Sequence, residues 1–553
     1  MYSSSDKTGQ DTRQQELVQK GKKYKGCVPV RYELAFLAFT GLTLQYSLKV
    51  HLSLAIVAMV KHQPGQNVSL KCTLIRVEGE WKTILEKHST PNRNSNLNLP
   101  VISHLVYYKS SKLYHAATEV CKMKIEHTFQ EGEFDWDEEL QGHILGSYFY
   151  GYMCTQIIGG RLAEKFGAKF VYGPSILATS LLTMLSPMAA RFHVYVFIVL
   201  RVLQGATSIL KYRKPIIFLE YATASIFGPV NSPCVVYFMF LSPAIYLGSL
   251  LTMGLSGVLI EAGGWPLVSY AFGGAAAFWS LLWLLLVYDS PEKHPRISDE
   301  EKCYILTGLR VKEEGQTSPP VPWKSIFTSV PVWAAFTMHF GTTWVLNTFL
   351  SHIPTYSKHI LHFDIKQNGF FSALPYLSNL ITGVVCGILS QWLREKGYIS
   401  HINAYKLFNG IASLGPAVAL VLITVVGCNV TAIVILLGVT MGLRGAFFGG
   451  SYLNHMDLAI NFSGTMSGIL HTFINLSGIL APLVAGALTK GEQTLARWSL
   501  VFYISVGIIT LPYLTYLILG SVEEQPWNQP HETQKEKKKV KVFQPKYTIT
   551  THM

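Results

Sequence analysis

The chain has 553 residues, 49% of them hydrophobic and only 14% charged, with a formal net charge of +13. A soluble protein of this length carries about 25% charged residues, so the deficit excludes an ordinary soluble enzyme and points to many bilayer-spanning segments. The positive charge first suggests nucleic acid, but basic residues gathered in cytoplasmic loops and tails account for it better, and no nucleic-acid partner is expected.

Residues 1–33 form a polar, basic tail without a secretory signal pattern, expected in the cytoplasm. The first apolar run covers about 34–60, long enough to stay in a bilayer. A polar segment, about 61–139, follows and is expected on the extracytosolic side. It carries the glycosylation sequon Asn67-Val68-Ser69. Cys72 and Cys121 also lie there, and whether they pair is left open. Further apolar runs lie near 142–158 and 170–189, and another starts near 194. Between the first two of these comes Gly160-Arg161-Leu162-Ala163-Glu164-Lys165-Phe166-Gly167-Ala168-Lys169, read as a tight, charged, glycine-bounded loop on the cytoplasmic face.

The region 207–244 is irregular. Lys211, Arg213 and Lys214 are costly in mid-bilayer, and Pro215, Pro229 and Pro233 interrupt a regular helix. Apolar runs near 245–260 and 267–287 complete a first half, 34–287. A charged cytoplasmic linker, 288–330, leads to six runs near 332–356, 369–393, 405–427, 430–452, 464–488 and 498–521. These make a second half, 331–521. The tail 522–553 is basic and cytoplasmic, solvated or touching anionic headgroups. Alternating barrel-type strand patterns are absent, and helices satisfy their own backbone in lipid. The expected fold class is therefore an all-α membrane protein of two six-helix bundles, nominally twelve transmembrane helices.

Several stretches resemble known transporters. The 160–169 segment is similar to the G-x-L-A-D-x-x-G-x-K/R loop joining helices 2 and 3 of the major facilitator superfamily, with Glu164 in place of Asp. Tyr46 to Val60 (YSLKVHLSLAIVAMV) resembles Y-A-L-R-V-N-L-S-V-A-I-V-A-M-V of the solute carrier family 17 branch. Val287 to Ser298, Pro354-Thr355-Tyr356, Phe363-Asp364-Ile365 and Asn368-Gly369 also resemble that branch. Asn454-His455-Met456-Asp457-Leu458-Ala459 is similar to its N-H-x-D-I-A-P, with Ile460 in place of Pro. The resemblance covers most of 30–60, 134–206 and 245–527, and is nearest the sialin-like and inorganic phosphate cotransporter group. It lapses after Arg201-Val202-Leu203-Gln204-Gly205, where the family continues with G-x-x-F-P and W-x-P-P-x-E-R.

The resemblance implies a major facilitator fold and a secondary active transporter. Its substrate would be a small organic anion or inorganic phosphate. An H⁺ or Na⁺ gradient or the membrane potential would drive it, by alternating access. It also implies a monomer in the plasma membrane or a lysosomal or vesicular membrane. No Walker loop, nucleophile elbow or H-E-x-x-H occurs, so neither enzyme activity nor a cofactor is expected beyond the coupling ion. The alternative is a transport-dead receptor or scaffold, or the product of a faulty gene model with a disrupted fourth span. A neutral-sugar or peptide carrier on the same fold would not need Lys49.

An anionic substrate needs a positive charge near the midplane, and Lys49 lies about 15 residues into its apolar run. Gln45 and Ser53 share its helical face, and Tyr46 is grouped with it as substrate-binding. The family has Arg there, so the bidentate fork is lost while the charge stays. The bland reading is a Lys that snorkels or pairs with a neighbour. Arg201 is assigned to ion coupling, against an interfacial Arg. His339, Thr343 and Asn347 form a polar stripe assigned to substrate, against plain interhelical hydrogen bonding. Thr342 stands where glutamate-transporting members carry a second arginine, which argues against dicarboxylate transport of that kind. Asn454 and His455 are assigned to substrate and Asp457 to ion coupling, against a polar cap; the pKa range of His455 suits proton carriage. Gly160, Arg161, Glu164, Lys165, Gly167 and Lys169 are assigned to a gating loop that latches the two bundles. His51, His143 and His471 are read as packing or interfacial residues.

Overall fold

The computed structural model describes residues 30–61, 71–77, 80–86, 132–166, 168–208, 233–288, 295–298, 321–427, 429–491 and 493–528. The N-terminal bundle consists of α1 (Val30–Met59), α2 (Glu138–Phe166), α3 (Ala168–Phe192), α4 (Val194–Thr207), α5 (Pro233–Gly263) and α6 (Trp265–Leu286). The C-terminal bundle consists of α7 (Val330–His359), α8 (Ile365–Glu395), α9 (His401–Val425), α10 (Val430–Gly445), α11 (Ser463–Thr489) and α12 (Leu495–Leu519). Nine of the described helices are long and apolar enough to cross a membrane; α4 is too short, and α2 and α7 are not among the nine either. Both lie at the seam between the bundles, α2 against α11 and α7 against α1. Outside the bundles, β1 (Lys71–Val77) and β2 (Glu80–Glu86) pair antiparallel, Lys71 opposite Glu86.

Four expectations are revised. The 160–169 segment, expected as a tight loop, is largely helical: α2 runs to Phe166 and α3 begins at Ala168. Gly167 itself, and the side chains of Gly160, Arg161, Glu164 and Lys165, lie outside what the structure describes. The irregular region 207–244 ends in regular helix, because α5 starts at Pro233, a residue tolerated in a first turn; residues 209–232 lie outside the described residues. The tenth span stops early, at Gly445, and the chain continues through 3-10 turns at Ala446–Phe448 and Ser451–Leu453 to one helical turn, Asn454–Asp457. The linker's end, Trp323–Thr328, is a short helix. Asn67 and Cys121 fall outside the described residues, as does the side chain of Cys72.

Within the first bundle α1 packs on α5 and α6, α2 on α4, and α3 on α6. In the second, α7 packs on α11 and α12, α8 on α10, and α9 on α10 and α12. The bundles meet through α2 with α11, α5 with α8, and α1 with α7. Two close crossings require glycine. A Cβ on Gly151 of α2 would overlap Val202 O of α4, and one on Gly205 of α4 would overlap Tyr148 O of α2. Gly257 and Gly369 do the same for α5 against α8, where a Cβ on Gly369 would lie 2.8 Å from Met253 O.

The two bundles are joined at the end where α1 and α5 finish and α2 begins. Lys358 Nζ on α7 donates to Val57 O on α1 at 2.7 Å. Lys366 on α8 pairs with Glu261 on α5 at 3.1 Å. Lys490, just past α11, pairs with Glu139 at 2.5 Å and Asp137 at 3.5 Å, and Gly491 N donates to Glu138 Oε2. The Glu139 hydrogen bond raises the pKa of Lys490. The end of α1 pairs with the chain before α2, since Lys61 N donates to Phe134 O and Phe134 N to Met59 O. The bundles therefore meet at the end that carries the 61–139 segment, the one expected on the extracytosolic side, and the conformation is closed there.

Candidate functional site

A buried polar feature is built around α1. A surface position would put Lys49 at a headgroup, but 19 helical residues precede it and ten follow it in α1, so the ammonium stays inside. It is caged by rings: Nζ lies 4.4 Å from the centroid of Phe149, 5.3 Å from Tyr46 and 5.5 Å from Tyr152. Aromatic faces attract a desolvated cation, and no ion pair to Lys49 occurs among the described residues. One small cavity of about 20 Å³, room for a water or two, is lined by Lys49, Ser53, Phe149, Arg201, Asn347 and Ser351, among others. Lys49 and Ser53 of α1 both line this cavity. The structure also brings Arg201 from α4 and Asn347 from α7 to the same place.

Arg201 is only 2% exposed. Its Nη1 donates to Gln204 Oε1 at 2.9 Å, its guanidinium lies 5.1 Å from the Tyr148 ring, and its Nε has no partner. Fourteen residues give α4 a length of about 21 Å, short of the ~30 Å hydrocarbon layer, so its C-terminal carbonyls need partners inside the protein. Ser208 supplies the junction. Its N–H donates back to Gln204 O and Gly205 O, its Oγ accepts from Tyr148 OH at 2.8 Å, and its carbonyl accepts from Gln45 Nε2 at 3.5 Å. Thus Gln45, expected beside Lys49, turns toward the end of α4.

The stripe on α7 divides. Asn347 reaches the cavity and its Nδ2 donates to Ser477 Oγ on α11 at 2.9 Å. Thr343 is half-buried. His339 points elsewhere, into a buried aromatic group with Phe447 at 4.7 Å, Tyr452 at 5.5 Å and His455 at 5.7 Å. His455 shares a 3.0 Å hydrogen bond with Ser467 Oγ. Asn454 Nδ2 donates to Tyr516 OH at 2.7 Å. Asp457 accepts from Tyr405 OH at 2.7 Å and lies 3.9 Å from His401 Nε2. Burial raises the Asp457 carboxyl, opposed by Tyr405, His401 and Arg394. None of Asn454, His455 and Asp457 lines the Lys49 cavity; they lie past the end of α10, where chain bends at Gly449 and Gly450 bring them against α9, α11 and α12. In the gating group, Lys169 is described: its Nζ lies 4.6 Å from the Tyr288 ring.

Sequence reasoning passed over Arg444. It lies on α10, 4% exposed, with Nε donating to Thr342 O at 2.7 Å and Nη1 to Tyr246 OH at 3.1 Å. The test that singled out Lys49, a lone cation deep in an apolar run, would have found it as well. The aromatic cage carried no such signal, because Phe149 and Tyr152 lie about 100 residues from Lys49 on another helix.

Three buried or half-buried cations, Lys49, Arg201 and Arg444, thus line the interior, while no Asp or Glu is buried among the described residues. A desolvated charge without a counter-charge is costly. The arrangement can hold an anion and has no acid–base pair or nucleophile poised for bond chemistry.

The sequence profile of the Major Facilitator Superfamily matches residues 125–482. Sialin of Homo sapiens is 34% identical over 501 residues, covering 91% of this chain and 91% of that protein. Vesicular glutamate transporter 1 of Bos taurus is 34% identical over 423 residues, covering 74% of this chain and 72% of its own. Among solved structures, a bacterial homolog of the human lysosomal transporter Spinster, inward-facing and unoccupied, superposes with a TM-score of 0.58 at 12% identity, covering 89% of this chain and 98% of its own. A D-xylose–proton symporter gives a TM-score of 0.55 at 12% identity, covering 89% and 98%. These two share the fold.

Proposed function

The chain belongs to the Major Facilitator Superfamily and to its solute carrier family 17 branch, and from that premise we propose a secondary active transporter of a small organic anion or inorganic phosphate. It is a multi-pass membrane transporter and not an enzyme. The substrate class is our reading, and one observation carries it: Lys49 and Arg201, from two helices, share a cavity with Asn347 of the other bundle and have no carboxylate. A bound anion supplies the missing charge. It also links the bundles, because Asn347 and Ser351 come from α7 and the cations from α1 and α4. With the outer ends joined, substrate would leave toward the cytoplasm in this conformation and enter after the bundles rock apart on the outer side. H⁺ or Na⁺ coupling, or the membrane potential, supplies the driving force, with Arg201 and Asp457 as the proposed coupling groups. Gly160, Arg161, Glu164, Lys165, Gly167 and Lys169 are proposed to latch the cytoplasmic side in the opposite state.

The test is uptake of labelled organic anions and phosphate into proteoliposomes containing the full chain. Concentrative uptake that Lys49→Ala abolishes while expression persists supports the reading. Uptake of neutral sugars that ignores Lys49→Ala would replace it with the neutral-carrier alternative. No uptake of any solute by a folded protein would favour the receptor or scaffold alternative.

A further inference from the structure

Phe149 touches both bundles. It belongs to α2, and its ring is the nearest of the three around the Lys49 ammonium, at 4.4 Å against 5.3 Å for Tyr46 and 5.5 Å for Tyr152. The edge of the same ring rests on Gly478 of α11, in the opposite bundle, where a Cβ would overlap the ring carbons. Gly478 is therefore a seat that fits the ring, and any larger residue would push the ring away. The seat is fixed from within the C-terminal bundle. Ser477 Oγ accepts from Asn347 Nδ2 at 2.9 Å, and Pro482 O hydrogen-bonds with His352 Nε2 at 3.3 Å. Close approaches between α2 and α11 follow one another inward from the joined end. A Cβ on Gly486 would lie 2.5 Å from Glu138 O, one on Gly142 2.6 Å from Pro482 O, and one on Gly146 3.4 Å from Ile479 O. Phe149 on Gly478 is the deepest of these four contacts.

A lysine has a compact charge on a flexible four-carbon stem. With no carboxylate beside it among the described residues, aromatic faces select its position. The position of the nearest face depends on α11, so the setting of a cation on one bundle depends on the presence of the other. We propose that Gly478 is a positioning residue. By seating Phe149 it holds Lys49 toward the cavity only while the bundles are together at the joined end, so the anion is gripped in this state and loosened when α2 leaves α11. The inference rests on the anion reading above. It gives the substrate different affinities in the two states, which a ligand needs if it is to bias a conformational equilibrium.

The test is a double-mutant cycle at Gly478 and Phe149 in the purified full chain in detergent. Inorganic phosphate and lactate are the binding probes. Acylation of Lys49 by an amine-reactive ester, read by mass spectrometry, is a second readout that needs no anion. Gly478→Ala is expected to weaken binding of whichever probe the wild type takes by about threefold to thirtyfold, the range of a lost cation–π contact, and to speed acylation of Lys49 severalfold. Phe149→Leu should do the same. The double variant should lose no more affinity than either single one, because both changes act through one ring. Leucine leaves room for the added methyl group, so the double variant should also regain melting temperature that Gly478→Ala loses. A purely structural glycine behaves otherwise: Gly415→Ala, whose Cβ would lie 2.8 Å from the Leu443 side chain, should lower the melting temperature and change affinity less than about twofold. Wild-type affinity and acylation in Gly478→Ala overturn the proposal, as does a double variant whose losses add. If Gly478→Ala does not fold, the double variant carries the test: it should fold and match Phe149→Leu, and an unfolded protein or wild-type behaviour again overturns the idea. Failure of the anion reading looks different. Then no probe binds any variant while acylation of Lys49 still follows Gly478, and the positioning of Lys49 stands without its ligand.

Discussion

The Lys49 ammonium lies 4.4 Å from the centre of the Phe149 ring, so a charge on α1 is held by the face of an aromatic residue on α2. The contact is strong enough to keep a desolvated ammonium in place and weak enough for an anion to compete for it. A carboxylate in the position of Phe149 would have neutralised the site permanently. The ring leaves the charge available.

Replacing Lys49 separates stability from binding. Lys49→Met should stabilise the substrate-free protein by about 1 kcal/mol or more, because a desolvated cation is replaced by an apolar chain of similar shape. The same change should weaken anion binding at least about tenfold. Thermal unfolding with and without anion checks both; a lower substrate-free melting temperature would show that the ammonium is structural.

Phe149→Leu should leave the charge and remove the cage. The loss of a cation–π contact worth about 1–2 kcal/mol should free Lys49 to reorient. We expect a Kd increase of about threefold to thirtyfold with intact surface expression, measured by ligand-dependent thermal shift.

The α2–α4 crossing has no room for a methyl group. Gly205→Ala should cost about 2–3 kcal/mol by forcing helices apart in a packed interior, and Gly151→Ala about the same. Because each glycine meets the other helix at the same crossing, the double variant should cost less than the sum. Melting temperatures of the three variants test this. Arg201 and Ser208 ride on α4, so the same variants should also lower anion affinity.

Charge reversal on the outer side should shift the conformational balance. Lys366→Glu faces Glu261, and Lys490→Glu faces Glu139 and Asp137. Each exposed pair is worth little by itself, but the repulsion exists only when the bundles meet on this side. The double variant should increase labelling of a cysteine placed at Asn347 from the extracytosolic side, and unchanged labelling would show that close helix packing, not charge, sets the balance.

Asp457 should govern part of the pH response. Burial holds its carboxyl above the usual carboxylate range, so the folded state takes up its proton at a higher pH than the unfolded chain. Its contribution to stability is therefore greatest in acid and is lost as pH rises through the carboxylate range to the raised value. Facing it are His401, Tyr405 and Arg394. Asp457→Asn should flatten the acid limb of the uptake profile and leave the fold intact. A pH profile identical to wild type would remove Asp457 from coupling.

The residues differ in how much of their role was legible. Lys49 was visible because an ammonium in an apolar run needs a reason wherever the run packs. Arg444 meets the same criterion, and only the fold brings it to the Thr342 carbonyl 102 positions away. Asn454, His455 and Asp457 looked like the end of a span. The break at Gly445 placed them instead against α9, α11 and α12, because turns at Gly449 and Gly450 redirect the chain in a way hydropathy does not register. His339 and Asn347 share a face of α7 by spacing, but the neighbouring helices at their two depths differ.

The sequence by itself determined that this is a helical membrane protein, where most spans run and which family it belongs to. Each follows from local quantities: apolar length against bilayer thickness, charge placement, and short motifs. Only the tertiary structure decided that Lys49, Arg201 and Asn347 share one cavity, that Phe149 cages the ammonium, that Arg444 stands beside Thr342, and that the outer ends are joined. Those relations depend on the rotation and depth of each helix against its neighbours. Small residues such as Gly151, Gly205, Gly257 and Gly369 set these through close packing that becomes defined only when the partner surface is present.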